Sequence, residues 1–247
     1  MKLTVVTRSA AIATAVALIA TGCGGSDSGS SETSSSESET TTSTTETSET
    51  TSTSAAAPTT GRIAPRQEAP AGPAPTIADY IKDNGIQESA VKRGDPGAPI
   101  IDLPIPEGWA DAGADTPEWA FGAIVYTGPE AAEYTPSIVA IVSKLVGDVD
   151  PQAVLDAAPG EATNLPGWTP MSDGKVTTLG EYPAFQLGGT WVQDGVTKIA
   201  AQKTVVIPGS DGSWYVLQLN ADGLESQIDL VGPATLAIDE ETVITPQ

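Results

Sequence analysis

The side chains of this chain that could do chemistry are its carboxylates and a single cysteine. The 247 residues include 32 Asp and Glu, 11 Lys and Arg, one Cys and no His. Without histidine there can be no Ser-His-Asp or Cys-His centre and no imidazole metal site. The lone cysteine, Cys23, excludes an internal disulfide and a CxxC pair. A net charge of −21 argues against nucleic acid, whose phosphates need a basic surface. These features favour an acidic, non-redox protein that is not an enzyme.

Paired carboxylates are the catalytic option that is left. Asp148 and Asp150 stand close together, and Asp239, Glu240 and Glu241 form a run near the C terminus. A glycoside hydrolase needs two carboxyl groups at a set separation in a cleft. In a chain so rich in acids, close pairs arise by chance, and Asp150 stands where a helix cap is expected. We therefore predict no catalytic residue, and a carboxylate hydrolase of envelope glycan is the least favoured function.

Cofactor motifs are missing from the sequence. Ser210–Gly212 could offer oxygen ligands to Ca²⁺, but no EF-hand loop accompanies it, and Asp and Gly serve hairpin turns equally well. Gly188–Gly189 lies inside a strand pattern rather than in a phosphate-binding loop, which predicts a bulge or a close approach of another backbone. We predict no metal and no cofactor.

Three tryptophans in loops give the one hint of a ligand. Trp109 and Trp119 flank a loop of small and acidic residues, and Trp168 ends a Pro-Gly turn. Loop aromatics can stack on sugar rings or line an acyl-chain groove, although each could equally be a core residue at the end of the sheet. Trp191 and Trp214 stand inside predicted strands and are expected in the core.

The N-terminal residues predict export and lipid attachment. A basic segment precedes an apolar run of 11 residues, 10–20, which is too short to cross a bilayer and is typical of a signal peptide over 1–22. Thr-Gly then precedes Cys23, which resembles a bacterial lipobox, although Ala20 stands where such boxes usually carry Leu. We expect Cys23 to carry acyl chains, palmitate included, that anchor the protein to the outer face of the cell membrane. Ordinary secretion with a free thiol is the alternative.

A low-complexity linker follows over 23–75. Between residues 26 and 54, 22 of 29 residues are Ser or Thr and none is aliphatic or aromatic, so the segment cannot bury enough apolar area to fold. The stretch 55–75 is rich in proline and also lacks a core pattern. O-glycosylation of the Ser and Thr residues and an unmodified spacer both fit this composition.

Residues 76–247 predict one α+β domain, an antiparallel sheet flanked by helices. Every aromatic residue of the chain lies in it. Capping and periodicity predict helices over 77–84, 151–158 and 224–238, the last disturbed in its middle by Gly232-Pro233. Alternation and turn residues predict strands over 86–91, 100–105, 121–126, 137–145, 175–179, 182–193, 196–207 and 214–219.

Several long segments of this domain carry a family resemblance: Thr76–Glu88, Gly94–Trp109, Ile138–Pro151, Pro159–Trp168, Ala201–Pro208 and Tyr215–Asp222. They are similar to the LpqN/LpqT family of actinobacterial lipoproteins, and the resemblance covers essentially all of 76–247. It implies a Mog1/PsbP-like α+β sandwich on a lipid-anchored protein of a mycobacterium-like cell envelope. It implies a role in the biogenesis of mycolate-containing envelope lipids, and it carries over no catalytic residue.

Two functions fit these observations. The domain could be a non-catalytic binding or accessory module that acts in the biogenesis or trafficking of mycolate-containing envelope lipids. Its ligand would then be an envelope glycolipid. It could instead be an adaptor that docks on membrane transporters and has no small ligand. In either case the expected partners are the membrane, through Cys23, and an envelope glycolipid or a transporter, with no nucleic acid.

Overall fold

The structure is a computed structural model and describes residues 62–65 and 72–247. The predicted signal peptide, Cys23 and most of the predicted linker lie outside these residues. Within the described part, no helix is long and apolar enough to cross a membrane.

The described residues form four α-helices: α1 (Ile77–Asp83), α2 (Pro151–Ala157), α3 (Gly160–Thr163) and α4 (Ile228–Glu241). The start of α1 is fixed by a capping box, in which Thr76 Oγ1 accepts from Asp79 N and Asp79 Oδ2 accepts from Thr76 N. Asp150 caps α2 by accepting from the Gln152 amide at 2.9 Å. The predicted helices at α1 and α2 are thus confirmed, and α3 was not predicted.

The strands in the described part are β1 (Gln87–Ala90), β2 (Ile100–Asp102), β3 (Trp109–Asp111), β4 (Gly122–Tyr126), β5 (Ser137–Val146), β6 (Thr169–Pro170), β7 (Lys175–Leu179), β8 (Tyr182–Gln193), β9 (Val196–Pro208), β10 (Trp214–Leu224) and β11 (Val243–Thr245). Among these residues, nine strands form one antiparallel sheet in the order β3-β4-β5-β10-β9-β8-β6, with β1 added to β5 and β7 to β8. The predicted α+β class, with an antiparallel sheet, is confirmed.

The strand predicted over 100–105 is the main difference in topology. Only Ile100–Asp102 is extended, and it pairs with β11 in a separate two-stranded sheet. Pro104 and Pro106 cannot donate to a ladder, which limits the strand to its first residues. The partner, β11, was not predicted because three residues are too few to show a period.

One face of the main sheet is covered by α4, and we call it the α4 face. The central residues of β5, β9 and β10 on this face, such as Val142, Val205 and Leu217, are fully buried against Val231 and Ile238 of the helix. The helix runs through Pro233 from Ile228 to Glu241, so the disturbance predicted at Gly232-Pro233 does not interrupt it. Of its apolar side chains, Val231, Ala234 and Ile238 are buried against the sheet, whereas Ile228 and Leu236 are exposed.

The opposite face, which we call the cavity face, is covered along only part of its length. At one end α1 and α2 pack on Leu145, Val206 and Val216 through buried residues such as Ile81 and Leu155. At the other end the same three strands continue as Ser137–Ile141, Lys198–Gln202 and Asn220–Asp222, beyond this helix pair.

The glycine pair Gly188–Gly189 has the second of its two predicted roles. Both residues pair in regular register, with Ala201 and Ala200, so there is no bulge at this point. A Cβ on Gly189 would lie 2.6 Å from the backbone oxygen of Thr169 and 2.6 Å from the Trp168 ring, so only glycine lets this backbone and this ring come so close to the strand.

Core packing under α2 gives a test of this arrangement. Leu155→Ala should lower the free energy of unfolding by about 2–5 kcal/mol, because it leaves a void between the helix and the sheet. Leu236→Ala, the same change at a side chain that is 61% exposed, should change it by less than about 0.5 kcal/mol. Urea unfolding followed by tryptophan fluorescence measures both values. Equal unfolding midpoints for the two variants would contradict the packing described here.

Candidate functional site

A cavity of about 660 Å³ lies against the uncovered part of the cavity face. Strands β5, β8, β9 and β10 form its floor, and the N-terminal end of α1, α3, the loop that carries Trp119 and the segment 62–65 form its walls. The residues that line the cavity include Ile63, Trp119, Val139, Ile141, Glu161, Leu165, Trp191, Lys198, Ala200, Gln202, Asn220 and Asp222.

The pleat of the strands puts the floor residues on one face. Lys198, Ala200 and Gln202 alternate along β9, and register places Gln202 opposite Asn220 and Ala200 opposite Asp222 on β10. The floor has only the methyl group of Ala200 at its centre, and a larger side chain there would fill part of the cavity. The cavity therefore exists because this side chain is small and because α1 and α2 cover only one end of the face.

The middle of the floor is a network of amides and one carboxylate. Gln202 Nε2 donates to Asn220 Oδ1 at 3.0 Å and, more weakly, to Glu161 Oε2 at 3.5 Å, while Gln218 Nε2 donates to the same carboxylate oxygen at 3.4 Å. Glu161 comes from α3, so this network also ties the wall to the floor.

Two buried polar atoms at the cavity lack a partner among the described residues. They are Gln202 Oε1 and Trp191 Nε1, and both side chains are more than nine-tenths buried. Leaving a buried donor or acceptor unpaired costs about 1–3 kcal/mol. Both atoms belong to residues that line the cavity but are themselves enclosed, so a polar group in the cavity would reach them only after a small shift of these side chains.

A buried ion pair closes one end of the floor. Lys198, whose side chain is only 5% exposed, donates from Nζ to Asp222 Oδ1 at 2.7 Å. The ammonium also lies 4.6 Å from the centre of the Tyr134 ring and 5.1 Å from that of Trp191. The other carboxylate oxygen, Asp222 Oδ2, accepts from the Tyr134 hydroxyl. Both oxygens of this carboxylate are therefore occupied.

The Tyr134 hydroxyl stays protonated at all physiological pH values. Burial of the phenol, and then the negative charge of Asp222 beside it, raise its pKa far above the ordinary value. It therefore acts as a donor to Asp222 and not as a base.

The structure separates the three tryptophans that the sequence singles out. Trp119 is exposed and lines the cavity. Trp109 is buried in the core, with its ring edge-on to Tyr126 at 5.9 Å between centroids. Trp168 packs on Gly189 and is not among the residues that line the cavity. Of the three, Trp119 is the one that the fold brings to the site.

Sequence reasoning missed most of the floor. Trp191 is buried, as predicted, but it also faces the cavity. Lys198, Gln202, Asn220 and Asp222 lie at alternate positions of long strands, a pattern that is typical of a solvated sheet face. The one signal that could have revealed them is that polar residues on β9 and β10 are paired by the predicted hairpin.

Two other acids singled out in the sequence, Asp239 and Asp211, have structural contacts. Asp239 pairs with Lys203 Nζ at 2.6 Å on the α4 face. Asp211 accepts from Ser213 N and Oγ and from Lys144 Nζ, which fixes the turn between β9 and β10 and lowers the pKa of its carboxyl group. Among the described residues, no group of three or more acids is placed to hold a metal ion.

The fold and this site define an α+β domain built on one large antiparallel sheet, with a large, polar-floored cavity on one face of that sheet. The chain belongs to the LpqN family of lipoproteins, since the family model described as "Probable lipoprotein LpqN" matches residues 73–245. The family resemblance found in the sequence is therefore confirmed.

Individual relatives agree with this assignment. Lipoprotein LpqN of Mycobacterium tuberculosis is 52% identical over 176 residues, which cover 71% of this chain and 76% of that protein. The proline-rich 28 kDa antigen of Mycobacterium bovis is 24% identical over 163 residues, which cover 66% of this chain and 52% of that protein. A crystal structure described as LpqN involved in cell envelope biogenesis of Mycobacterium tuberculosis matches with a TM-score of 0.67 at 51% identity, over 71% of this chain and 100% of that chain.

The buried ion pair can be tested through stability. Asp222→Ala should lower the free energy of unfolding by about 3 kcal/mol, because it leaves the Lys198 ammonium buried without a counter-charge. The matched control is Asp173→Ala, an exposed acid in a loop, which should change it by less than about 0.5 kcal/mol. Both are measured by urea unfolding. A loss no greater than that of the control would show that Lys198 does not need its partner.

Proposed function

We propose that this chain is a cell-envelope lipoprotein whose cavity binds an amphipathic envelope lipid with an uncharged, hydroxyl-bearing headgroup. Its role would be that of a non-catalytic accessory protein in the biogenesis or trafficking of mycolate-containing lipids. The observation that carries the proposal is the 660 Å³ cavity, which combines apolar walls with a floor that holds unpaired buried polar atoms.

The size and lining of the cavity suit a lipid-like ligand. Its volume falls within the range of about 300–1,000 Å³ that small-molecule sites occupy. Val139, Ile141 and Leu165 supply apolar contact area for a hydrocarbon chain, and Trp119 offers an exposed aromatic face that could stack on a sugar ring.

The polar floor favours an uncharged headgroup. Lys198, the one cation among the described lining residues, is already bonded to Asp222, and the lining also contains the carboxylate of Glu161. An anionic headgroup would therefore have to compete with the Asp222 carboxylate for the buried Lys198 ammonium. A hydroxyl group both donates and accepts, so it suits Gln202 Oε1 and Trp191 Nε1 together.

The comparisons support the setting of this proposal. The Mycobacterium tuberculosis relative is named a lipoprotein, and its crystal structure is described as that of a protein involved in cell envelope biogenesis. At 52% identity over 71% of the chain, a shared role in the envelope is the natural extension to this protein.

Catalysis is less well supported, although two acids, Glu161 and Asp222, line the cavity. Asp222 accepts from Lys198 and Tyr134 through its two oxygens, and Glu161 accepts from the amides of Gln202 and Gln218. Both carboxylates are thus engaged in holding the floor together. We therefore propose binding without turnover.

Native mass spectrometry with n-dodecyl-β-D-maltoside, below its critical micelle concentration, tests the proposal. The protein used is residues 23–247 with Cys23→Ser, which contains residues 62–65 and 72–247. Without the acylated cysteine, we expect this protein to stay in solution without added detergent. We expect one retained molecule of this alkyl glycoside and weaker retention of n-dodecyl phosphate. Gln202→Leu should weaken binding about tenfold, because it removes the polar floor atoms while keeping the volume.

The matched control for that variant is Gln186→Leu, which removes an amide from the α4 face of the same sheet. It should bind as the parent does. Failure of the parent to retain the glycoside would contradict a ligand cavity and favour the transporter adaptor. Release of dodecanol from the retained glycoside would contradict binding without turnover.

Membrane attachment is the second part of the proposal, and it rests on Cys23 and on membership of a lipoprotein family. Cells grown with labelled palmitate should incorporate label into the full chain and lose all incorporation with Cys23→Ser, because the thiol is the acylation site. Membrane fractionation should then find that variant in the soluble fraction. Label on Cys23→Ser, or parent protein free in the medium, would contradict the anchor.

A further inference from the structure

Residues 62–65, which the sequence assigns to the linker, contact the folded domain. We call this segment the strap. Three of its four residues, Ile63, Ala64 and Pro65, line the cavity. The family match begins only at residue 73, so the strap lies outside the residues that define the family.

The strap is held at its first residue by polar contacts. Arg62 Nε donates to Asp115 Oδ2 at 2.6 Å, and Arg62 Nη2 donates to the backbone oxygen of Ala112 at 2.8 Å. Both acceptors belong to the short segment that leads from β3 towards the Trp119 loop. The guanidinium thus fixes the strap beside a wall of the cavity.

The second residue of the strap completes a hydrophobic cluster. Ile63 packs, together with Ile141, on a group of buried small and branched side chains: Ala112, Ala120, Ala123, Val125 and Val139. Ile63 thus adds a branched apolar side chain from the strap to a cluster formed by the sheet and the Trp119 loop.

A second pair of hydrogen bonds holds the chain to the domain at Ala74. Ala74 N donates to Asn164 Oδ1 at 3.2 Å, and Asn164 Nδ2 donates back to Ala74 O at 2.9 Å. Asn164 directly precedes Leu165, which lines the cavity. The chain before α1 is therefore hydrogen-bonded to the domain at two places: Arg62 binds Asp115, and Ala74 binds Asn164.

We infer that the strap is a wall of the binding site, so that retention of an amphipathic ligand depends on docking of the segment that leads from the membrane anchor. This inference rests on the proposed function of the cavity. Ile63 would add apolar contact to the hydrocarbon part of the ligand, and Arg62 would hold it there. Because the Arg62 and Asp115 side chains are 43% and 30% exposed, salt should weaken this docking.

Docking of the strap is measured without any ligand by the rate of trypsin cleavage after Arg62 in residues 23–247 with Cys23→Ser. Adding Asp115→Asn should raise the rate about two- to fivefold, because the released strap is open to the protease for longer. Raising the NaCl concentration should accelerate cleavage of the parent in the same way. The control, Asp148→Asn, removes an exposed acid that lies outside the strap and the cavity lining, and it should leave the rate unchanged.

Retention is then measured with n-dodecyl-β-D-maltoside by native mass spectrometry. Ile63→Ser should weaken binding about tenfold and Asp115→Asn about two- to fivefold, while Asp148→Asn binds as the parent does. Unchanged unfolding midpoints confirm that the variants are folded. If the parent retains the glycoside and Ile63→Ser and Asp115→Asn retain it equally well, the inference is overturned, whereas the proposed function of the cavity is not. If the parent retains none, the proposed function fails, and the inference with it.

Discussion

The register between β9 and β10 is the constraint on which the rest of the structure depends. Side chains alternate between the faces of a sheet, so pairing Ala201 with Ala221 puts Gln202 beside Asn220 on the cavity face and Ile199 on the α4 face. A shift of one residue would turn the polar side chains into the hydrophobic core and the aliphatic ones outwards. The large apolar area buried under α4 therefore also fixes the polar floor of the cavity.

The cavity exists because the two faces are covered to different extents. At about 3.3 Å per residue, the 13 residues of β9 extend over about 43 Å, whereas the seven residues of α2 extend over only about 10 Å. Two short helices cannot cover such a face. What they leave open is walled by single turns and loops, namely α3, the Trp119 loop and the strap. The floor therefore consists of regular strands, whereas the walls are short segments that are held separately.

The floor is not optimised for stability. Among the described residues, Gln202 Oε1 and Trp191 Nε1 have no hydrogen-bond partner, and the buried Lys198 ammonium needs the carboxylate of Asp222, the Gln193 amide oxygen and two aromatic rings to offset its desolvation. Apolar side chains at these places would pack at no such cost. Unpaired polar atoms of this kind are what a site keeps for a ligand, and they connect the energetics of the sheet to the binding role proposed for it.

The sequence alone determined the α+β class, the family and most of the long elements, because capping boxes, alternation and hairpin turns are local signals that act within a few residues. It did not determine β3, α3 or β11, whose three or four residues are too few to show a period. For the site it pointed to Trp119, but it gave Trp109 and Trp168 equal weight. Only the tertiary structure decided between them and brought together Lys198 and Asp222, because strand pairing joins residues that are far apart in the chain and no local pattern encodes which face the helices leave open.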